Sequence, residues 1–237
     1  MTTFVLVHGA WHGAWCWYRI VDALEQKGHR AIALDLPGHG TDQRAIGDVS
    51  LEDMVEFVGS RIEEIGEPVV LVGHSFGGTV ITATAEKFAT RLKTLVYLTA
   101  IVPKNGQSTI DAARPDTDSL LPGTLTTSED GTAILGTTGD IREIFYAKCP
   151  SEDLSLARML LVSESVRALE AEVRTTPQIW GSIPKVYVEC TLDRAIGLAQ
   201  QRRFWRAAAV PDVRTLETDH SPFFSAPEAL TSILCGF

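Results

Sequence analysis

A short apolar strand that runs straight into a glycine-flanked serine, and leaves it as a helix, gives a chain few ways to fold. Residues 68–78 read Pro-Val-Val-Leu-Val-Gly-His-Ser-Phe-Gly-Gly. Residues 69–72 are apolar and mostly β-branched, as a strand buried on both faces should be. Gly73-His74-Ser75-Phe76-Gly77 is a G-x-S-x-G pentapeptide. Thr79, Val80, Ile81, Ala83, Ala85 and Phe88 follow without proline or internal glycine, so the segment can continue as a helix under the sheet. Such a turn lifts the serine hydroxyl above the carboxyl end of the sheet, and the flanking glycines omit side chains that would clash there. Ser75 is therefore the predicted nucleophile.

The rest of the chain repeats strand and helix around that unit. Thr3–Val7 reads as a first strand and residues 15–27 as a helix stopped by Gly28. Residues 31–34 read as a second strand. Ser50, with Asp53 three residues on, makes a capping box for a helix that runs to Gly66. Residues 94–98 are a further strand after the one that carries the serine. The α/β pattern resumes with a strand at Lys185–Cys190, a helix over 199–208, a strand over 213–216 and a helix at Pro227–Leu234. The alternation predicts right-handed crossovers and a mostly parallel six-stranded sheet with helices on both faces. Between Pro103 and Gly181 the order breaks. A polar tract rich in Pro, Gly and Thr leads to two helices, near 141–147 and behind Ser151, the second apolar beyond a single stripe. A structureless loop of that length would be improbable, so residues 103–181 are expected to form an inserted cap on a core made of 1–102 and 182–237.

With 237 residues, 45% of them hydrophobic and 22% charged, the chain is long enough for one sizeable core. Its net charge of −9 argues against nucleic acid or an anionic membrane as partner. Cys16, Cys149, Cys190 and Cys235 are too scattered for a metal site, so reduced thiols and no metal or cofactor are expected. No secretory leader or membrane-spanning run is visible, which predicts a cytoplasmic location. The expected partner is a small-molecule ester, with a homodimer as the candidate assembly.

Ligands on open parallel sheets bind beyond the carboxyl ends of the strands, where residues 8–11, Ser75, Asp193 and His220 all fall. His220 is the only histidine after Ser75. It sits just past the last strand, suited to take the serine proton and return it to a leaving group. Among Glu189, Asp193, Asp212 and Asp219, position favours Asp193 to hold the imidazole: Glu189 lies within a strand, Asp212 begins one, and Asp219 adjoins His220 too closely. The oxyanion hole is expected from the amides of Phe76 and Ala10. Gly9, Trp11, His12 and Ser221 are the predicted substrate-contacting neighbours.

Together, His8-Gly9-Ala10-Trp11-His12-Gly13-Ala14-Trp15-Cys16-Trp17, Gly73-His74-Ser75-Phe76-Gly77-Gly78, Cys149-Pro150-Ser151-Glu152-Asp153-Leu154, Cys190-Thr191-Leu192-Asp193-Arg194-Ala195-Ile196 and Asp219-His220 resemble the α/β-hydrolases of the plant methylesterase and hydroxynitrile lyase family, which includes salicylate-binding esterases. Bacterial pyrethroid-hydrolase-like esterases look similar too. The resemblance spans nearly the whole chain and implies the α/β-hydrolase fold, a triad at Ser75, His220 and Asp193, and oxyanion amides at Ala10 and Phe76. Lyases of that family carry a threonine where this chain has Gly9 and a lysine where it has Ser221. Lacking that lysine, the site has no fixed positive charge to stabilise departing cyanide. The expectation is thus a serine carboxylesterase acting on small, largely apolar esters through an acyl-enzyme. The rivals are a hydroxynitrile lyase and a slow or non-catalytic small-molecule receptor. Residues 103–139 match the plant pattern poorly, so substrate identity is not inherited, and amide, thioester and lactone hydrolysis stay open.

Overall fold

The computed structural model describes residues 1–114 and 116–237. The chain opens with β1 (Thr3–Val7), a 3-10 turn (Ala14–Trp17), α1 (Tyr18–Gln26), β2 (Arg30–Leu34), α2 (Leu51–Ile65), β3 (Val69–His74), α3 (Gly77–Phe88) and β4 (Leu92–Leu98). There follow α4 (Thr109–Ala113), β5 (Leu125–Thr127), β6 (Ala133–Thr137), α5 (Ile141–Phe145), α6 (Ser151–Leu160), β7 (Glu164–Ser165) and α7 (Val166–Glu170). The chain closes with β8 (Lys185–Cys190), α8 (Leu198–Ala207), β9 (Asp212–Leu216), α9 (Pro222–Ser225) and α10 (Pro227–Leu234).

Six strands form one sheet in the order β2-β1-β3-β4-β8-β9, and every pairing in it is parallel. Alternation along each strand sends side chains to two separate cores. Phe4 and Leu6 of β1 join Ile20 and Leu24 of α1 and Leu230 and Leu234 of α10. Val5 and Val7 face the other way, onto Val55 and Val58 of α2 and Phe204 of α8. β3 repeats this with Val70 and Val72 on one face and Val69 and Leu71 on the other, all fully buried. Both faces are covered, which is why these strands read as unbroken apolar runs. Each such side chain contributes roughly 1.5–3 kcal/mol on burial.

The α2 cap forms as its sequence predicts. Asp53 N donates to Ser50 Oγ (3.2 Å), and Ser50 N donates to Asp53 Oδ2 (2.8 Å). The helix expected over 15–27 is instead divided. Cys16 N donates to Gly13 O and Ala14 N donates to Asp35 Oδ1 (2.6 Å), which tightens the first turn, and α1 begins only at Tyr18.

Between β4 and β8 the two predicted helices appear as α5 and α6, together with a three-stranded antiparallel sheet, β5-β6-β7, that the sequence did not announce. On α6, Leu154 and Ala157 are buried while Met159 is 80% exposed, so part of the apolar excess of this helix faces outward. Asp153 fastens α6 to α1. It accepts from Tyr18 Oη (2.8 Å) and from Arg19 (2.9 Å) and is almost wholly buried. β7 is anchored from the other side, where Ser165 Oγ donates to Val49 O (2.6 Å) and Val162 N donates to Trp11 O (3.0 Å). Among the described residues no helix is long and apolar enough to cross a membrane.

Candidate active site

β3 lies in the middle of the sheet, and its carboxyl end delivers Ser75 at φ +52°, a left-handed conformation uncommon for a residue with a side chain. The turn is tight enough to exclude side chains on both sides. A β-carbon on Gly73 would stand 2.6 Å from Gly77 O, and one on Gly77 would stand 2.6 Å from His8 O. Three backbone bonds hold Ser75 in this state: its N–H donates to Leu98 O (3.3 Å), and its carbonyl accepts from Gly78 N and Ile101 N (both 3.0 Å). Local strain is thereby over-determined by the surrounding strands, as at many functional turns.

Two further strand ends bring His220 and Asp193 together. His220 Nδ1 lies 2.7 Å from Asp193 Oδ2, with both residues buried. Asp193 Oδ1 accepts from the amides of Ala195 (2.7 Å) and Ile196 (2.9 Å). Asp219 meets other groups: it accepts from Lys148 N (2.6 Å), Ser225 Oγ (2.7 Å) and Ser221 N (3.1 Å), fixing the loop that carries the histidine. The loop is also tied to the serine turn. His74 Nε2–H donates to the His220 carbonyl (2.8 Å), and the two rings lie 4.6 Å apart. Among the described residues the Ser75 hydroxyl makes no hydrogen bond, so its link to His220 in this conformation runs through His74. Catalytic hydrogen bonds commonly tighten only when substrate is bound.

One residue at this site escaped the sequence reading. Thr99, at the carboxyl end of β4, donates its hydroxyl to Asp193 Oδ2, the oxygen that also meets His220. Its φ is +37°, and it is fully buried. A hydroxyl directly after a central parallel strand was the available signal, since that is where ligand-binding groups collect.

Ser75, Ala10 and Phe76 border a cavity of about 290 Å³ whose remaining wall is mostly apolar, including Ile101, Leu121, Ile134 and Phe204. Among the described residues neither the Ala10 nor the Phe76 amide is donated to another group. Of the predicted substrate neighbours, Trp11 borders this cavity, and the other three do not. Gly9 is filled against the turn, because a β-carbon there would stand 2.8 Å from Ser75 Cβ. His12 is buried, with Nδ1–H donating to Ala10 O (2.7 Å) and Nε2 accepting from Tyr146 Oη (2.6 Å). Ser221 is wholly buried with an unpartnered hydroxyl.

Burial also sets the charge of the histidines around the turn. It pulls His12 down to about 4 and holds His8 and His74 well below the ordinary value of 6.5, with neighbouring imidazoles adding to the effect. His8 Nε2 accepts from Leu36 N (3.1 Å), a bond that requires the unprotonated ring. The unfolded chain binds these protons near 6.5 and the folded chain does not, so acidification through that range favours unfolding. His39 has the opposite sign. Burial depresses it, but Glu164, 3.2 Å away, outweighs burial and raises its pKa, so its contribution is present below the unfolded value and lost as pH rises through the folded one. Three groups oppose one, and the melting temperature is expected to fall as pH drops from about 7 to about 5. Calorimetry showing a level or rising Tm over that interval would contradict this balance.

Residues 4–233 match the family described as "Alpha/beta hydrolase family". Methylesterase 2 of Arabidopsis thaliana is 33% identical over 250 residues, covering 98% of this chain and 94% of that protein. Methyl jasmonate esterase 1 of Vitis vinifera is 29% identical over 248 residues, covering 98% of this chain and 94% of that one. The crystal structure of a methylesterase from Arabidopsis superposes with a TM-score of 0.86 at 28% identity, over 100% of this chain and 98% of the other.

Proposed function

We infer, because this chain belongs to the alpha/beta hydrolase family, that it is a serine carboxylesterase hydrolysing small, largely apolar carboxylic esters through an acyl-enzyme. The observation that carries this reading is the buried His220–Asp193 pair at 2.7 Å, linked through His74 to a left-handed serine at the wall of an apolar cavity. Relatives named as methylesterases support the ester as substrate class.

In this mechanism His220 Nε2 takes the Ser75 proton as Oγ attacks the ester carbon. The oxyanion receives the amides of Ala10 and Phe76, whose preorganised donors stabilise charge as it develops. Collapse expels the alcohol, which leaves with the proton held on His220. A water molecule then gives its proton to His220 and attacks the acyl-enzyme, releasing the acid and restoring Ser75. Asp193 keeps Nδ1 protonated and stabilises the imidazolium. Residues 103–181 act as the cap in this reading, since Leu121, Ile134 and other cap residues supply much of the cavity wall.

Ester hydrolysis is favoured over cyanohydrin cleavage because Gly9 and Ser221 stand where the lyases carry a threonine and a lysine, so the site holds neither group. Diethyl p-nitrophenyl phosphate is the direct test. It should leave one diethylphosphoryl group on Ser75, located by peptide mass spectrometry, and abolish hydrolysis of methyl and p-nitrophenyl esters. Full ester hydrolysis by protein labelled to completion would overturn the serine mechanism.

A further inference from the structure

Two apolar hollows meet at Trp11. The larger, about 290 Å³, contains Ser75; the smaller, about 190 Å³, is bordered by His12, Leu135, Phe145 and Leu161 among others. The loop after β1 straddles them, with Ala10 on the larger and His12 on the smaller. β6 straddles them as well: Ile134 faces the larger hollow, and Leu135 and Gly136 face the smaller. Trp11 belongs to both walls. Its indole Nε1–H donates to Ile134 O (3.2 Å), its carbonyl accepts from Val162 N (3.0 Å), and its ring sits 6.0 Å from that of Phe145. Its φ of +65° is a genuine outlier for a bulky residue, and these contacts are what maintain it.

The smaller hollow offers a ligand little besides hydrocarbon. The His12 nitrogens are both engaged, by Ala10 O and Tyr146 Oη, and Thr137 Oγ1 donates to Thr124 Oγ1 (2.7 Å) while accepting from Gly139 N (3.0 Å). A polar group placed there would lose water without gaining a partner, whereas an alkyl chain would gain by burial.

We propose that Trp11 is a size-determining partition: its indole divides what would otherwise be one apolar channel from Ser75 to the end of α6, and so limits the length of hydrocarbon an ester can carry. The proposal rests on the esterase reading above. Truncation of the ring joins the two hollows and extends the substrate range toward longer chains.

The test compares kcat/KM for p-nitrophenyl butyrate and decanoate in the unaltered protein, in Trp11→Ala and in Trp11→Ala/Leu161→Trp. Trp11→Ala should raise the decanoate-to-butyrate ratio about tenfold or more, the scale on which a few methylenes are discriminated by a pocket. Leu161→Trp, which refills the smaller hollow, should bring the ratio back, and mere loosening of the site would not be reversed in this way. A ratio unchanged in folded Trp11→Ala, or a gain that Leu161→Trp leaves in place, overturns the partition. Trp11→Leu serves the same comparison if the alanine variant does not fold. Calorimetric binding of decanoate reads the partition without turnover: tighter binding to the truncated variant supports it, and equal binding overturns it. Failure of the unaltered protein to hydrolyse either ester counts against the esterase reading alone.

Discussion

Ser75→Ala is expected to lower kcat/KM for p-nitrophenyl butyrate by about 10⁴-fold or more, the scale seen when a serine nucleophile that acts as a unit with its base is removed. The change deletes one oxygen that makes no hydrogen bond among the described residues, so no packing or buried polar partner is lost. Alanine carries the same β-carbon and can follow the same turn, so circular dichroism and Tm should stay near those of the parent protein. A variant that keeps its fold and retains a tenth of the parent rate would rule out Ser75 as nucleophile.

Asp193→Asn should cost about 10³- to 10⁴-fold in kcat at neutral pH. The surroundings dictate which way the amide must turn. Two backbone amides, from Ala195 and Ile196, point at Oδ1 and cannot become acceptors, so the asparagine oxygen has to face them. The NH₂ then faces His220 Nδ1 and the Thr99 hydroxyl, where the carboxylate had accepted from both. Thr99 can rotate to accept. His220 can satisfy the new donor only by giving up its Nδ1 proton, and the proton then sits on Nε2, where it blocks the base. Steady-state kinetics should show the loss in kcat, with KM little changed. Parent-level kcat in a folded Asp193→Asn variant would remove Asp193 from the mechanism.

The residues that the sequence exposed and those it hid differ in a physical way. Strands β1 and β3 are covered on both faces and wrote themselves as apolar runs, and β4 and β8 kept apolar stretches long enough to place the groups just past their ends. Asp193 rather than Asp219 meets the histidine ring because a carboxylate next to His220 is drawn to local amides such as Ser221 N. The β5-β6-β7 sheet left no comparable trace. Leu125 and Leu135 are 41% and 52% exposed, β5 is three residues long and β7 two, and the β6–β7 pairing is set by distant contacts rather than by alternation. Thr99 was hidden for another reason. A threonine at the end of an apolar strand looks ordinary until its partner, Asp193, arrives from nearly a hundred residues away.

β9 is an edge strand of the sheet, where fraying begins, yet it leads into the loop that carries His220. The His74 ring offsets this exposure by clipping the carbonyl of His220 to the residue beside the serine. In the proposed mechanism this bond couples the histidine loop to the serine turn, so that movement of the sheet edge is shared by proton acceptor and donor.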